Sequence, residues 1–161
     1  MSNIQYKFIK MDLTQFSPEW DRFDAGNTSI GIETNFNFSF NKSEGILKCV
    51  TNLTFVQNNQ VFLRSELQTF FEILKESIDE LTNENVITIP RGLLCQFASL
   101  AYGSFRGVVY MKAINTALNN MILPPMYLDE VIKSDMKIFS LLGLKSGRHY
   151  AIIKAIVIYV R

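Results

Sequence analysis

Residues Ile30 to Phe40 alternate between two kinds of side chain, and this period of two constrains the fold more than any other feature. Ile30, Ile32, Phe36, Phe38 and Phe40 fall on one side; Gly31, Glu33, Asn35, Asn37 and Ser39 fall on the other. Successive side chains of an extended chain point to opposite faces, so the segment reads as a strand with one dry and one wet face. Asn41 to Gly45 is a short, Gly-containing hairpin loop. Ile46 to Gln57 is β-branched and aromatic and reads as a central strand. After a tight turn at Asn58-Asn59-Gln60, Val61, Leu63, Leu67 and Phe71 alternate with Arg64, Glu66 and Gln68 as a further strand. Short turns make these three an antiparallel meander. A strand over residues 3–14, with Ile4, Tyr6 and Phe8 on its even face, adds at one edge. The segment from Phe16 to Asn27 holds Pro18 and Gly26 and reads as a loop, although it carries Phe16, Trp20 and Phe23.

The period then changes. Ile73 to Leu81 reads as a short helix with Glu72, Glu76, Asp79 and Glu80 on its wet side, and Thr82 to Ile89 as a polar loop. Pro90 suits the first turn of a helix. Leu93, Leu94, Phe97, Leu100, Ala101, Phe105 and Val108 recur at three- and four-residue spacing, so a long amphipathic helix reaches about Ala113. Asn115 to Pro125 is a loop stopped by its proline pair. Leu128, Val131, Ile132, Met136, Phe139 and Leu142 then predict a second helix from Tyr127 to about Leu142. The fold class is α+β: a four-stranded antiparallel sheet followed by a long helix, a Pro-containing loop and a second helix. Residues 1–142 make one domain, and residues 143–161 a basic, apolar C-terminal tail. Tyr150 to Val160 fits helix and strand equally well.

The 161-residue chain is 48% hydrophobic with a net charge of +1, which excludes intrinsic disorder. That balance offers no basic surplus for a nucleic-acid backbone. The charge is split, however: residues 1–132 sum to −4 and residues 133–161 to +5. A basic, apolar end has the composition of a segment that lies on an anionic membrane surface, or of a docked strand or helix. The N-terminus shows no apolar signal region, so the expected compartment is the cytoplasm, with Cys49 and Cys95 reduced. Tyr150 to Val160, broken by Lys154, is too short to span a bilayer.

Catalytic motifs are missing. Residues 143–149 only echo a phosphate-binding loop, and neither an H-E-x-x-H motif nor a Gly-rich dinucleotide turn occurs. Two cysteines and one histidine, His149, make neither a metal-ligand set nor a hydrolytic triad. The expectation is a protein that is not an enzyme and needs no metal or cofactor. Three other features stand out. Trp20 and Phe23 sit in a loop. Small residues crowd the long helix, among them Gly103 and Gly107, each costing about 0.5–1 kcal/mol relative to alanine. Met121 to Met126 is an apolar loop with methionine at each end, a side chain that adapts to varied partners.

The order of these pieces over residues 3 to about 133 resembles the SecB family of protein-export chaperones. The resemblance rests on the edge strand Ile4 to Thr14, the crossover segment Pro18 to Phe23, the three meander strands and the helix from Pro90 to Gly107. That helix closes on Ser104, Arg106 and Gly107, and Ile122 to Ile132 looks like the family's Pro-containing loop and second-helix start. The resemblance implies a homotetramer built as a dimer of dimers, with Gly103 and Gly107 at a helix contact between copies. It implies an ATP-independent holdase that binds unfolded or partly folded client proteins in apolar grooves, at positions corresponding here to Trp20, Phe23, Ile122, Leu123 and Met126. Members of the family are usually strongly acidic and carry a tail that contacts the export motor. The basic, apolar tail departs from that pattern, so partnership with the export motor is not carried over. A dedicated module for one protein partner, such as an antitoxin-type client, and a binder of apolar small molecules are the alternative readings.

Overall fold

The computed structural model describes residues 4–27, 29–119 and 121–139, and the backbone of 149–160. Its main sheet is built from β1 (Tyr6–Pro18), β2 (Ile30–Asn41), β3 (Ile46–Gln57), β4 (Gln60–Ile73) and β8 (His149–Val160), in the order β1-β4-β3-β2-β8. All pairings are antiparallel. The expected four-stranded sheet is present: β2, β3 and β4 form the meander, and β1 returns beside β4 in a Greek-key arrangement. The last strand adds a fifth member along β2, from Ile30 opposite Val160 to Phe40 opposite His149. This selects the strand among the readings open for Tyr150 to Val160.

Turn chemistry sets the meander's register. Asn58 and Asn59 both have positive φ (51° and 59°), the backbone a two-residue hairpin needs and one that asparagine tolerates. At the other end Gly45 has φ +68°, and the Ile73 carbonyl oxygen lies 3.0 Å from where a Cβ would stand. Any other residue there meets both strain and backbone.

The first strand is longer than the pattern over residues 3–14 predicts. It runs to Pro18 because Phe16, Ser17 and Pro18 pair with Ser65, Arg64 and Leu63, and the Ser65 hydroxyl donates to the Gln15 carbonyl at 3.0 Å. Register shifts between Phe8 and Lys10 and between Leu13 and Gln15 reset the alternation, so Leu13 and Phe16 pack on the core while Phe8 is exposed.

On one face of the sheet lies α2 (Arg91–Ala113), packed against β3 and β4. Ile32, Phe36, Phe38, Phe40, Leu47, Leu53, Phe55 and Phe71 are buried with Leu94, Phe97, Ala101, Phe105 and Val109 of the helix. The Phe71 and Phe97 rings stack at 4.4 Å, and Tyr6 meets Phe97 edge-on at 4.8 Å.

Two expectations between and after these elements are corrected. The short helix α1 (Lys75–Leu81) is present, but residues 82–89 are not a loop: β5 (Thr82–Asn83) and β6 (Val86–Ile89) form a hairpin. The second helix shrinks to one turn, α3 (Leu128–Val131), followed by β7 (Met136–Phe139) paired with β6. Ile132 is already extended, and the Arg91 backbone N–H donates to the Asp135 carboxylate at 2.8 Å, which pulls the chain off the helical path. Met136 and Ile138 then point inward while Lys137 and Phe139 point out, a period of two that the ladder with β6 enforces. The last residues expected in that helix, 140–142, lie outside the described residues.

Candidate binding surface

Between α2 and α3 the chain turns back and runs antiparallel to the long helix as a strap. Four helix side chains fix it. Arg106 Nε donates to the Leu123 carbonyl at 2.9 Å and the Tyr102 hydroxyl to the Pro124 carbonyl at 2.9 Å. The Cys95 thiol reaches the Leu128 carbonyl at 3.8 Å. Arg91 donates to the carbonyls of Ile132 and Asp129, at 2.5 Å and 2.6 Å, and pairs with the Asp129 carboxylate at 3.2 Å. Residues 91, 95, 102 and 106 recur on one side of a helix, so a single polar stripe holds the whole strap by its backbone. Proline at 124 and 125 gives up no donor, and the 124 carbonyl still accepts.

This anchoring decides which strap side chains face inward. Leu123 is 1% exposed and belongs to the core, so its expected place in an open groove is corrected: the bond from Arg106 to its carbonyl turns the side chain under the strap. Ile122, one residue earlier, points out and is 64% exposed, while Met126 and Met121 are half-buried against the core. Tyr127, which the sequence reading did not single out, is 76% exposed.

Trp20 and Phe23 lie on the crossover between β1 and β2, at the end of the β3–β4 hairpin. Trp20–Arg22 is a single 3-10 turn, entered by a hydrogen bond from the Glu19 N–H to the Phe62 carbonyl at 2.7 Å. The Phe23 ring packs on Phe62 at 5.1 Å, and both Trp20 and Phe23 are half-buried against the core. Gln57, almost wholly buried, holds the rest of the crossover. Its amide donates to the carbonyls of Asp24 and Asn27 at 3.0 Å and 2.7 Å, and its oxygen accepts from the Asp24 N–H at 2.7 Å. Among the described residues no hydrogen bond, ion pair or ring contact joins Trp20 or Phe23 to Ile122 or Met126. Instead, each set rests separately on the packed sheet and helix.

The outward side of α2 carries the third group of expected residues. A Cβ built at Gly103 or Gly107 meets nothing within 4 Å, so among the described residues neither glycine makes a close approach to another element. They share their side with exposed Leu100, Tyr110, Met111 and Ile114, at three- and four-residue spacing. The result is a helix with apolar residues on both its inner and its outer side.

Burial pushes the Cys95 thiol up, with the Asp129 carboxylate adding to the effect and Arg91 opposing it. Burial likewise raises Tyr102, partly offset by Arg106. Cys49, enclosed between β2 and β4, is pushed up to about 12 by burial. Neither thiol is primed as a nucleophile, which requires the thiolate. Among the described residues no group of three or more His, Cys, Asp or Glu is placed to hold a metal ion, and no helix is long and apolar enough to cross a membrane.

None of the family models, curated proteins or solved structures compared with the chain matches it.

Proposed function

We propose that this protein is an ATP-independent holdase that binds unfolded or partly folded polypeptides through the exposed apolar side chains Ile122 and Tyr127 of the strap, with the half-buried Trp20 and Phe23 of the crossover as further contacts. The observation that carries the reading is the exposure of two large apolar side chains, Ile122 and Tyr127, on a strap whose Leu123 and Leu128 are buried in the core. Ile122 and Tyr127 project from a strap whose backbone is fixed at four points, so their exposure is imposed by the fold. Contiguous exposed apolar surface marks sites for protein or ligand. Each contact contributes in proportion to area, about 25 cal/mol per Å², so affinity is shared among many weak sites.

The Gly103–Gly107 side of α2 is the contact between copies in this reading, and several copies joined there multiply weak client contacts by avidity. The order of elements that prompted the SecB-like resemblance supports the same assembly. Light scattering at micromolar concentration is expected to return a multiple of the 18.5 kDa chain. A mass of one chain would contradict the helix contact.

The binding reading is tested by fluorescence anisotropy with a labelled, reduced and carboxymethylated unfolded polypeptide. The double substitution Ile122→Ser/Tyr127→Ser is expected to weaken binding about tenfold or more, since burying each side chain is worth about 1.5–3 kcal/mol and 1.4 kcal/mol is a factor of ten. Unchanged affinity in the folded double variant would refute the site.

A further inference from the structure

We infer that the outer edge of β2 is a strand-acceptor site occupied by the chain's own residues 149–160, and that an extended, β-branched-rich peptide takes their place when they leave. This differs from capture on the strap, because recognition here runs through the main chain. β8 is the last strand of the sheet and is hydrogen-bonded on one side only, whereas β2, β3 and β4 are each paired on both sides. Like β1 at the opposite edge it can leave without breaking a second ladder, and as the last strand of the chain it can do so without dragging another element of the sheet with it. Without it, β2 presents a row of unpaired N–H and C=O groups over the length that now pairs from Ile30 to Phe40. The flank of the core is uncovered as well, since Ile32, Phe36, Phe38 and Phe40 all lie on that strand and are fully buried in the intact chain.

The sequence of the occupant shows what the edge accepts. Residues 149–160 are His-Tyr-Ala-Ile-Ile-Lys-Ala-Ile-Val-Ile-Tyr-Val, seven of them β-branched or tyrosine from Ile152 onward and with one charge, Lys154. The ladder with β2 contains a register shift between Thr34 and Phe36, a bulge that an occupant has to accommodate. Added strands gain affinity from main-chain hydrogen bonds and specificity only from alternate side chains. Charge adds little: residues 149–160 carry the single cation Lys154 and rest on residues 1–132, whose net charge is −4. Only residues 140–148 join the occupant to β7, which keeps it near β2 at an effective concentration of about a millimolar. A competing peptide at micromolar concentration therefore loses to the resident strand until that strand is undocked.

The probe is a fluorescein-labelled peptide of residues 149–160 with a solubilising lysine tag. In the full-length chain, Ile153→Pro/Ile156→Pro places two prolines in β8 where it pairs with Phe36 and Thr34, which disfavours the ladder and leaves the acceptor strand unaltered. Anisotropy is expected to show the variant binding the peptide at least about tenfold more tightly than the intact chain, as loss of the tethered competitor requires. A variant with native near-UV circular dichroism that binds no more tightly than the intact chain overturns the inference. Should the variant not fold, a protease site placed within residues 140–148 of the full chain and cut after folding gives the second reading. The nicked protein is expected to exchange its strand for the labelled peptide, and failure to exchange overturns the inference. The gain in peptide affinity on undocking β8 is expected to persist when Ile122→Ser/Tyr127→Ser is added to remove capture of the probe by the strap, so failure of the strap and failure of the edge are read separately.

Discussion

The inner and outer sides of α2 are both apolar, yet only one is covered. On the inner side Leu94, Phe97, Ala98, Ala101, Phe105 and Val109 are sealed against the sheet. On the outer side Leu100, Tyr110, Met111 and Ile114 flank two glycines that no described neighbour approaches. The same residue chemistry thus serves packing on one side and stays exposed on the other. Both sides mix large and small residues: Ala98 and Ala101 lie among the inner rings and aliphatics, and Gly103 and Gly107 among the outer ones. Residue type alone does not distinguish the covered side from the open one; what packs against it does.

The largest expected effect falls on the covered side. Phe97→Ala removes a ring stacked on Phe71 and edge-on to Tyr6, leaving a cavity no neighbour fills. Denaturant titration is expected to show a loss of about 3–5 kcal/mol, and a loss below 1 kcal/mol would mean that α2 is not docked as described.

Cys49 provides an intermediate effect that depends on pH. Its thiol keeps its proton in the folded chain up to about 12, against 9.0 in an exposed thiol. Above pH 9 the unfolded chain therefore releases a proton that the folded chain still holds. The stabilising contribution is complete below pH 9 and is lost as pH rises from 9 toward 12. Cys49→Val is expected to flatten the decline in unfolding free energy over that range relative to the parent, and parallel curves would refute the burial of this thiol.

The smallest effect belongs to the open surface. Ile122→Ser/Tyr127→Ser is expected to change unfolding free energy by no more than about 0.5 kcal/mol, as for surface substitutions that remove no buried contact. A loss of 2 kcal/mol would show that these side chains are structural, and the contrast between covered and open surfaces would fail there.

Much of this contrast was legible in residue spacing. The period of two in β2 and the turn residues at 58–59 fix the meander, and a helix from Pro90 to about Ala113 follows from its apolar repeat. Gly103 and Gly107 predict a helix contact, whereas among the described residues a Cβ built at either meets nothing within 4 Å. The second helix was misread because Leu128, Val131, Ile132, Met136 and Phe139 fit a helical repeat, while the last residues also fit a strand. The competition is settled by contacts distant in sequence: Arg91 holding Asp129 and Asp135, and β6 pairing with Met136 to Phe139. Leu123 was misplaced for a related reason. An apolar loop residue carries no sign of which way it points until its carbonyl is fixed by a remote arginine. The stripe Arg91, Cys95, Tyr102 and Arg106 was visible at helical spacing, and it was the available clue that the following segment lies along the helix. Register shifts in β1 left no such trace.

The most direct test of the account is light scattering from a chemically denatured client diluted into buffer containing the full-length protein without nucleotide. If apolar side chains on the strap and crossover capture unfolded chains, aggregation falls in proportion to the protein added, and Ile122→Ser/Tyr127→Ser removes most of that protection. Aggregation that proceeds unchanged at a molar excess of folded protein would contradict the holdase reading.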